Sequence, residues 1–164
     1  MTGFLLWVEQ LSYSTWVRES PSLLAFPLFL FVHTLGMALV AGGSAVISFA
    51  ILGMWPKSPL RPLERLFPVL WFGFWINLFT GVSIFMKDAN AYGHNLDLYI
   101  KLIFVVIGLW LMAVIRKQVF GDPELDRKPI SSRAKMLAWV SLGAWFCAIV
   151  AGRLIAYVGP VPGL

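Results

Sequence analysis

The sequence predicts an all-helical integral membrane protein in which four transmembrane helices form an up-and-down bundle. Hydrophobic residues make up 59% of the 164-residue chain and charged residues 13%, about half the charged fraction of a typical water-soluble domain. The mean hydropathy is +0.80, and the apolar residues form long runs. Because so few charges cannot cover a water-soluble domain, the remaining apolar surface is expected to face lipid.

Four apolar runs define the predicted spans. The first covers about 23–54 and follows Ser20-Pro21, a residue pair that favours a helix start because serine caps it and proline suits its first turn. The other three cover about 66–85, 98–115 and 136–158. Each is close to or above the roughly 20 residues that cross a bilayer. The connections are short, so sequential helices are expected to be neighbours in one membrane domain, residues 1–164.

The first 19 residues mix apolar and polar side chains. Phe4, Trp7, Val8 and Leu11 recur at helical spacing. This pattern predicts a short N-terminal helix lying in the membrane interface. A loosely ordered terminus is the alternative.

Basic residues predict the orientation of the chain. Nine of the thirteen lysines and arginines fall in two loops: Lys57, Arg61, Arg65, Arg116, Lys117, Arg127, Lys128, Arg133 and Lys135. Since basic loops stay in the cytoplasm, we expect a multi-pass protein of the bacterial inner membrane with both termini periplasmic. The same rule accounts for the net charge of +5, so we expect no nucleic-acid partner.

Small residues four apart mark the faces on which the helices should pack. The second run has Gly73, Asn77 and Gly81. The fourth has two adjacent sets of small residues: Gly143, Cys147 and Ala151, with Ala144, Ala148 and Gly152 alongside. Small side chains let helix backbones approach closely in lipid. We expect these stripes to hold the bundle together and Asn77 to form an interhelical hydrogen bond. A flat cofactor between the helices is the less favoured interpretation.

Four polar residues are predicted to gather at the outer end of the bundle. His33 lies in the first span, His94 in the outer loop, Lys101 at the start of the third span and Arg153 near the end of the fourth. A histidine or arginine within a membrane needs a partner or a wet cavity. The sequence therefore predicts a cofactor-binding site formed by these four residues.

Haem b is one occupant that these residues could bind. His33 would be an axial ligand and His94 the second, with the basic side chains neutralising the propionates. Glycines near His33 would leave room for a porphyrin: Gly36, Gly42 and Gly43. Against haem, the second histidine lies in a loop and not on a facing helix.

Two other interpretations remain for the same residues. A metal such as copper could bind His33 and His94, with Met37 or Met86, since these ligand types suit copper. The favoured interpretation has His33 hydrogen-bonded within the bundle and Arg153 paired with a loop acid or a lipid phosphate.

Three segments of the chain resemble a family of small bacterial membrane proteins, domain of unknown function 6644. They are Phe26-Pro27 with His33-Thr34-Leu35-Gly36-Met37-Ala38-Leu39 and Gly42, then Tyr99-Ile100-Lys101-Leu102, then Ala151-Gly152-Arg153-Leu154-Ile155-Ala156-Tyr157. The resemblance implies the four-helix fold and includes His33, Lys101 and Arg153, but not His94. The chain also has a looser likeness to cytochrome b561-type and copper-resistance membrane proteins. It lacks the usual set of haem-ligating histidines of the cytochrome b561-type proteins.

The pattern favours an accessory or structural subunit of a larger bacterial membrane complex, such as an electron-transfer or photosynthetic assembly. No hydrolytic constellation or phosphate-binding loop is evident, so an enzyme is not favoured. The aromatic content of 15% suits contact with lipid, pigment or other membrane subunits. One alternative is a b-haem electron carrier with His33 as axial ligand, and another is a small oligomeric transporter.

Overall fold

The computed structural model describes residues 2–54 and 59–155, and this part of the chain is helical and contains no strands. The α-helices are α1 (Thr2–Glu9), α2 (Ser12–Glu19), α3 (Phe26–Met37), α4 (Gly43–Ile51), α5 (Leu66–Lys87), α6 (Ala89–Gly93), α7 (Leu96–Ile115) and α8 (Ser132–Leu154). A π-helical turn, Ala38–Gly42, joins α3 to α4, and a second one, Arg116–Phe120, extends α7. A 3₁₀ turn, Arg61–Arg65, precedes α5.

Four helical segments are long and apolar enough to cross a membrane, which confirms the predicted fold class. They are Phe26–Ile51, Arg61–Lys87, Leu96–Phe120 and Ser132–Leu154, and we call them spans 1 to 4. The loop residue Lys57 and the predicted last residues of span 4, 156–158, lie outside the described residues. Span 1 begins at Phe26 and not directly after Ser20-Pro21, so the predicted helix start there is wrong. Spans 2, 3 and 4 begin before the predicted positions because polar residues in their first turns belong to the same helices.

The spans pack in pairs. Helix α3 lies along α5, α7 lies along α8, and α4 contacts α8. One core cluster, which includes Ile51, Phe67 and Phe120, lies near the loops between spans 1 and 2 and between spans 3 and 4. A second cluster joins Val40 of the first π turn to Trp145 of α8. We call the loop side, residues 59–65 and 116–135, the basic end.

Glycine allows the close crossing of α3 and α5. A Cβ atom on Gly36 would lie 3.0 Å from the backbone nitrogen of Asn77 and from the carbonyl oxygen of Gly73. A Cβ on Gly73 would lie 2.7 Å from the Cβ of Leu39. The predicted role of Gly73 in helix packing is therefore explained by direct backbone contact.

The packing face of α8 contains only part of the predicted small residues. Gly143 is exposed, and a Cβ placed on it would meet nothing within 4 Å. The buried small residues are Ala144, Ala148 and Ala151, with Ser141 one turn earlier. Both stripes have helical spacing, so the periodicity of small residues alone could not determine which of the two faces α4 and α7.

Two short helices, and not one, occupy the N-terminal 19 residues, and they are tied to the opposite end of the bundle from the basic end. The Tyr13 hydroxyl donates to Ser83 Oγ of α5 at 2.8 Å. Glu9 accepts from Arg18 at 3.2 Å and from the backbone N–H of Asn90 at 3.1 Å. Because of these contacts, the N-terminal segment is packed against the bundle, and the alternative of a loosely ordered terminus is wrong.

Candidate functional site

His33 lies at the centre of a polar cluster between three spans. Its Nδ1 atom is 3.0 Å from Thr80 Oγ1 of α5, and its Nε2 atom is 3.4 Å from Lys101 Nζ of α7. The Asn77 side-chain amide donates to the His33 backbone carbonyl at 2.9 Å. We call these four residues, His33, Asn77, Thr80 and Lys101, the polar cluster, and the end of the bundle that contains it the polar end.

Donor and acceptor counting assigns the imidazole tautomer. The Thr80 hydroxyl has one proton, and its shortest contact is 2.7 Å to the carbonyl oxygen of Ile76 in its own helix. If Thr80 donates there, His33 donates its Nδ1–H to Thr80. The Nε2 lone pair is then free to accept from the Lys101 ammonium. This assignment gives every polar atom of the imidazole a partner without placing two donors face to face.

The cluster connects spans that are far apart in sequence. His33 of span 1 bonds directly to a residue of span 2 and to a residue of span 3, and Thr80 is only 3% exposed. A polar group left without a partner in hydrocarbon is costly, so hydrogen bonds of this kind favour one arrangement of helices. The geometry agrees with the favoured sequence interpretation of His33 as a residue bonded within the bundle.

Lys101 also meets span 4. A Cβ on Gly152 would lie 3.3 Å from Lys101 Cδ, so the lysine stem passes directly over the backbone of α8. The ammonium group is turned toward His33, although Asp97 precedes it by one helical turn. Within residues 2–54 and 59–155, Lys101 Nζ forms one hydrogen bond, the contact with His33. Two of its three N–H groups therefore face no protein acceptor there.

His94, another predicted site residue, lies apart from this network of bonds. His94 is exposed, and its Nδ1 is 2.7 Å from the carbonyl oxygen of Asn90. His94 and His33 share no hydrogen-bonding partner in the described part of the chain. Arg153 follows Gly152 and is exposed at the polar end. The structure thus brings His33 and Lys101 together, and it places His94 in a separate local contact.

The arrangement does not fit a b-type haem at His33. The Nε2 atom that would bind iron faces Lys101 Nζ, and a Cβ at Gly81 would lie 3.1 Å from His33 Cε1, so the ring is packed against α5. Of the three glycines expected to accommodate a porphyrin, Gly36 contacts the α5 backbone, Gly43 contacts Leu70, and Gly42 is exposed. The presence of glycine at positions 36 and 43 is therefore explained by close helix packing, and not by a need for space around a cofactor.

The arrangement of possible metal ligands does not support a metal site either. No group of three or more histidine, cysteine, aspartate or glutamate side chains that could hold an ion occurs in the part of the chain the structure describes. The predicted pair of His33 and His94 would need to come from two separate hydrogen-bonded environments. The copper interpretation therefore has no geometric support beyond its residue types.

Sequence reasoning did not assign a role to several residues at the polar end. Thr80, Tyr13, Arg18 and Ser83 were not predicted to bond to other residues. Arg18 donates to the Lys87 carbonyl oxygen at 3.3 Å as well as to Glu9. No local motif signals these contacts, because each one joins segments that meet only in the folded bundle.

The chain was compared with protein families, with curated proteins and with solved structures. No family model, curated protein or solved structure matches it. Its function is therefore inferred from the fold and from the two ends of the bundle.

Proposed function

We propose that this protein is a small structural or accessory subunit of a larger bacterial membrane complex. The single observation that carries the proposal is the low burial of spans 2 and 3. In each of them, 22% of the most apolar window is buried inside the chain, whereas the value is 44% in spans 1 and 4. Spans 2 and 3 thus offer the larger free surfaces to neighbouring subunits.

Large aromatic side chains support this assignment of the surface. Phe72, Trp75 and Phe79 of α5 are 61–64% exposed, and Trp110 of α7 is 62% exposed. Aromatic side chains contribute large contact areas at protein interfaces. Lipid alone would also cover them, so the experiment must separate a lipid-covered face from a subunit-covered face.

Site-specific photo-crosslinking in native membranes separates the two. A photoreactive amino acid replaces Trp75 in one variant and Trp139 of α8, which is 62% exposed, in a matched control. We expect a discrete protein adduct of constant mass at Trp75 and lipid adducts at Trp139. Lipid adducts alone at both positions would contradict an accessory-subunit role.

A b-haem electron carrier is the alternative, and the geometry supports it less. It requires His33 to turn its Nε2 atom away from Lys101 and a second ligand to approach. Absorption spectra of the purified protein before and after dithionite test it directly. Haem bands that vanish in His33→Ala would favour the carrier, and the absence of bands in protein purified from haem-replete cells would exclude it.

The proposed location is the bacterial inner membrane, with the basic end in the cytoplasm and the polar end outside. The basic loops support this location. We likewise propose that the chain resembles the family of unknown function 6644. A labelling cysteine is placed at exposed His94, with Cys147 replaced by alanine. Labelling of intact spheroplasts by an impermeant maleimide is expected, and labelling only after lysis would reverse the topology.

A further inference from the structure

A cleft lies between spans 2 and 3 at the basic end, on the opposite side of the bundle from the polar cluster. Its volume is about 380 Å³, within the size range of small-molecule sites. Phe67 and Trp71 of α5 form one wall, and Met112 of α7 with Arg116 and Lys117 of the second π turn forms the other. None of these side chains takes part in the polar cluster.

The lining changes from apolar to basic along the helix axis. Trp71 lies one turn deeper in the span than Phe67, and Met112 lies one turn deeper than Arg116, a separation of about 6 Å. The cations are therefore at the loop side of the cleft and the apolar side chains are inside. A phospholipid has the same order, with its phosphate at the surface and its acyl chains below.

The two cations at the rim are available to an anion. Arg116 and Lys117 are exposed, and neither forms an ion pair within the described ranges 2–54 and 59–155. The Arg116 guanidinium lies 5.6 Å from the centre of the Phe67 ring, which holds it over the mouth of the cleft. Glu64, the acid in the lining, is 3.8 Å from Arg61 and is directed to a different cation.

We propose that this cleft binds one anionic phospholipid, with its phosphate on Arg116 and Lys117 and an acyl chain along Trp71 and Met112. Basic pockets between transmembrane helices are suited to anionic headgroups because the cations sit at headgroup depth. The apolar floor distinguishes the site from a surface that would bind free phosphate. The inference does not depend on the proposed accessory role.

Native mass spectrometry of the detergent-purified full chain tests the proposal by competition between phosphatidylglycerol and phosphatidylcholine. The test variant carries Arg116→Gln and Lys117→Gln. The control carries Arg133→Gln and Lys135→Gln, which removes the same charge from exposed positions of the same end outside the cleft. A third variant, Ala113→Phe, fills the cleft from an exposed lining position and keeps every charge.

The wild type and the control should retain one phosphatidylglycerol with a preference of roughly tenfold or more, since each basic side chain near an anionic headgroup contributes about a factor of five. The test variant and Ala113→Phe should bind the two lipids equally. Equal binding in the wild type, or an equal loss in the control, would overturn the proposal. Displacement of the lipid by excess inorganic phosphate would also overturn it, because the acyl chain would then contribute nothing.

Discussion

The two ends of the bundle differ in whether their polar side chains lie between the helices or on the surface. At the polar end, His33 lies between spans and bonds to Thr80 and to Lys101. At the basic end, Arg116 and Lys117 are exposed around an open cleft. The same bundle therefore holds one set of polar groups inside and leaves the other on its surface.

This difference follows from the solvent that each residue would meet. A polar group at the depth of the spans has no water to bond, so the protein must supply the partner. A cation in a loop is solvated or meets lipid headgroups without help from the fold. Polar substitutions should accordingly change stability at the polar end and ligand binding at the basic end.

The largest effect is expected where the backbones touch. Gly36→Ala places a methyl group 3.0 Å from backbone atoms of α5, so α3 and α5 must separate beside the polar cluster. We expect a loss of about 1–3 kcal/mol in the free energy of unfolding, the usual cost of overpacking. Unfolding by SDS in mixed micelles, followed by circular dichroism, measures it.

Gly42→Ala is the matched control, because a Cβ there meets nothing within 4 Å. Alanine also favours helix relative to glycine by up to about 1 kcal/mol, so this variant should be as stable as the wild type or more stable. An unchanged Gly36→Ala protein would mean that the close crossing does not determine the geometry of the polar end.

The His33–Lys101 contact should give the next largest effect. His33→Leu removes the hydrogen-bond acceptor that faces the Lys101 ammonium, and Lys101→Met in the same chain removes that charge. The double-mutant cycle should give a coupling of about 0.6 kcal/mol, the average measured for interhelical hydrogen bonds in membranes, and at most about 1.7 kcal/mol.

His94→Leu is the control for that cycle. His94 is exposed and bonds to a backbone carbonyl of its own short helix, so its loss should change the unfolding free energy little. Independent, additive effects of His33→Leu and Lys101→Met would show that the two side chains do not interact in the membrane.

The sequence was sufficient to predict the four spans, because runs of apolar residues report lipid exposure directly. It also identified His33, Asn77 and Lys101, since a polar residue in such a run stands out. It did not predict which face of α8 packs, because Ala144 and Gly143 belong to two stripes with the same period. The pairing of Lys101 with His33, and not with Asp97, depends on helix rotation, which packing alone determines.

A smaller effect is expected between α4 and α8 in the interior. Ser44 Oγ and Ser141 Oγ are 3.2 Å apart and buried, so either alanine variant should cost about 0.6 kcal/mol. The double variant should cost no more than the sum of the two. Ser48→Ala is the control, since the Ser48 hydroxyl is buried without a partner and its removal should be neutral or stabilising. Equal losses at Ser44 and Ser48 would show that hydroxyl bonding does not hold these helices.

The smallest effect on stability is expected at the basic end. Arg116→Gln with Lys117→Gln removes two exposed charges that form no ion pair in the described chain, so the unfolding free energy in zwitterionic detergent should change by about 0.5 kcal/mol or less. The same variant is expected to lose its preference for anionic lipid, which separates binding from folding. SDS unfolding curves recorded without and then with phosphatidylglycerol measure both properties, because a lipid that binds the folded state raises its stability. A loss in lipid-free detergent as large as that of His33→Leu would remove the distinction between the two ends, since the rim cations would then stabilise the bundle itself.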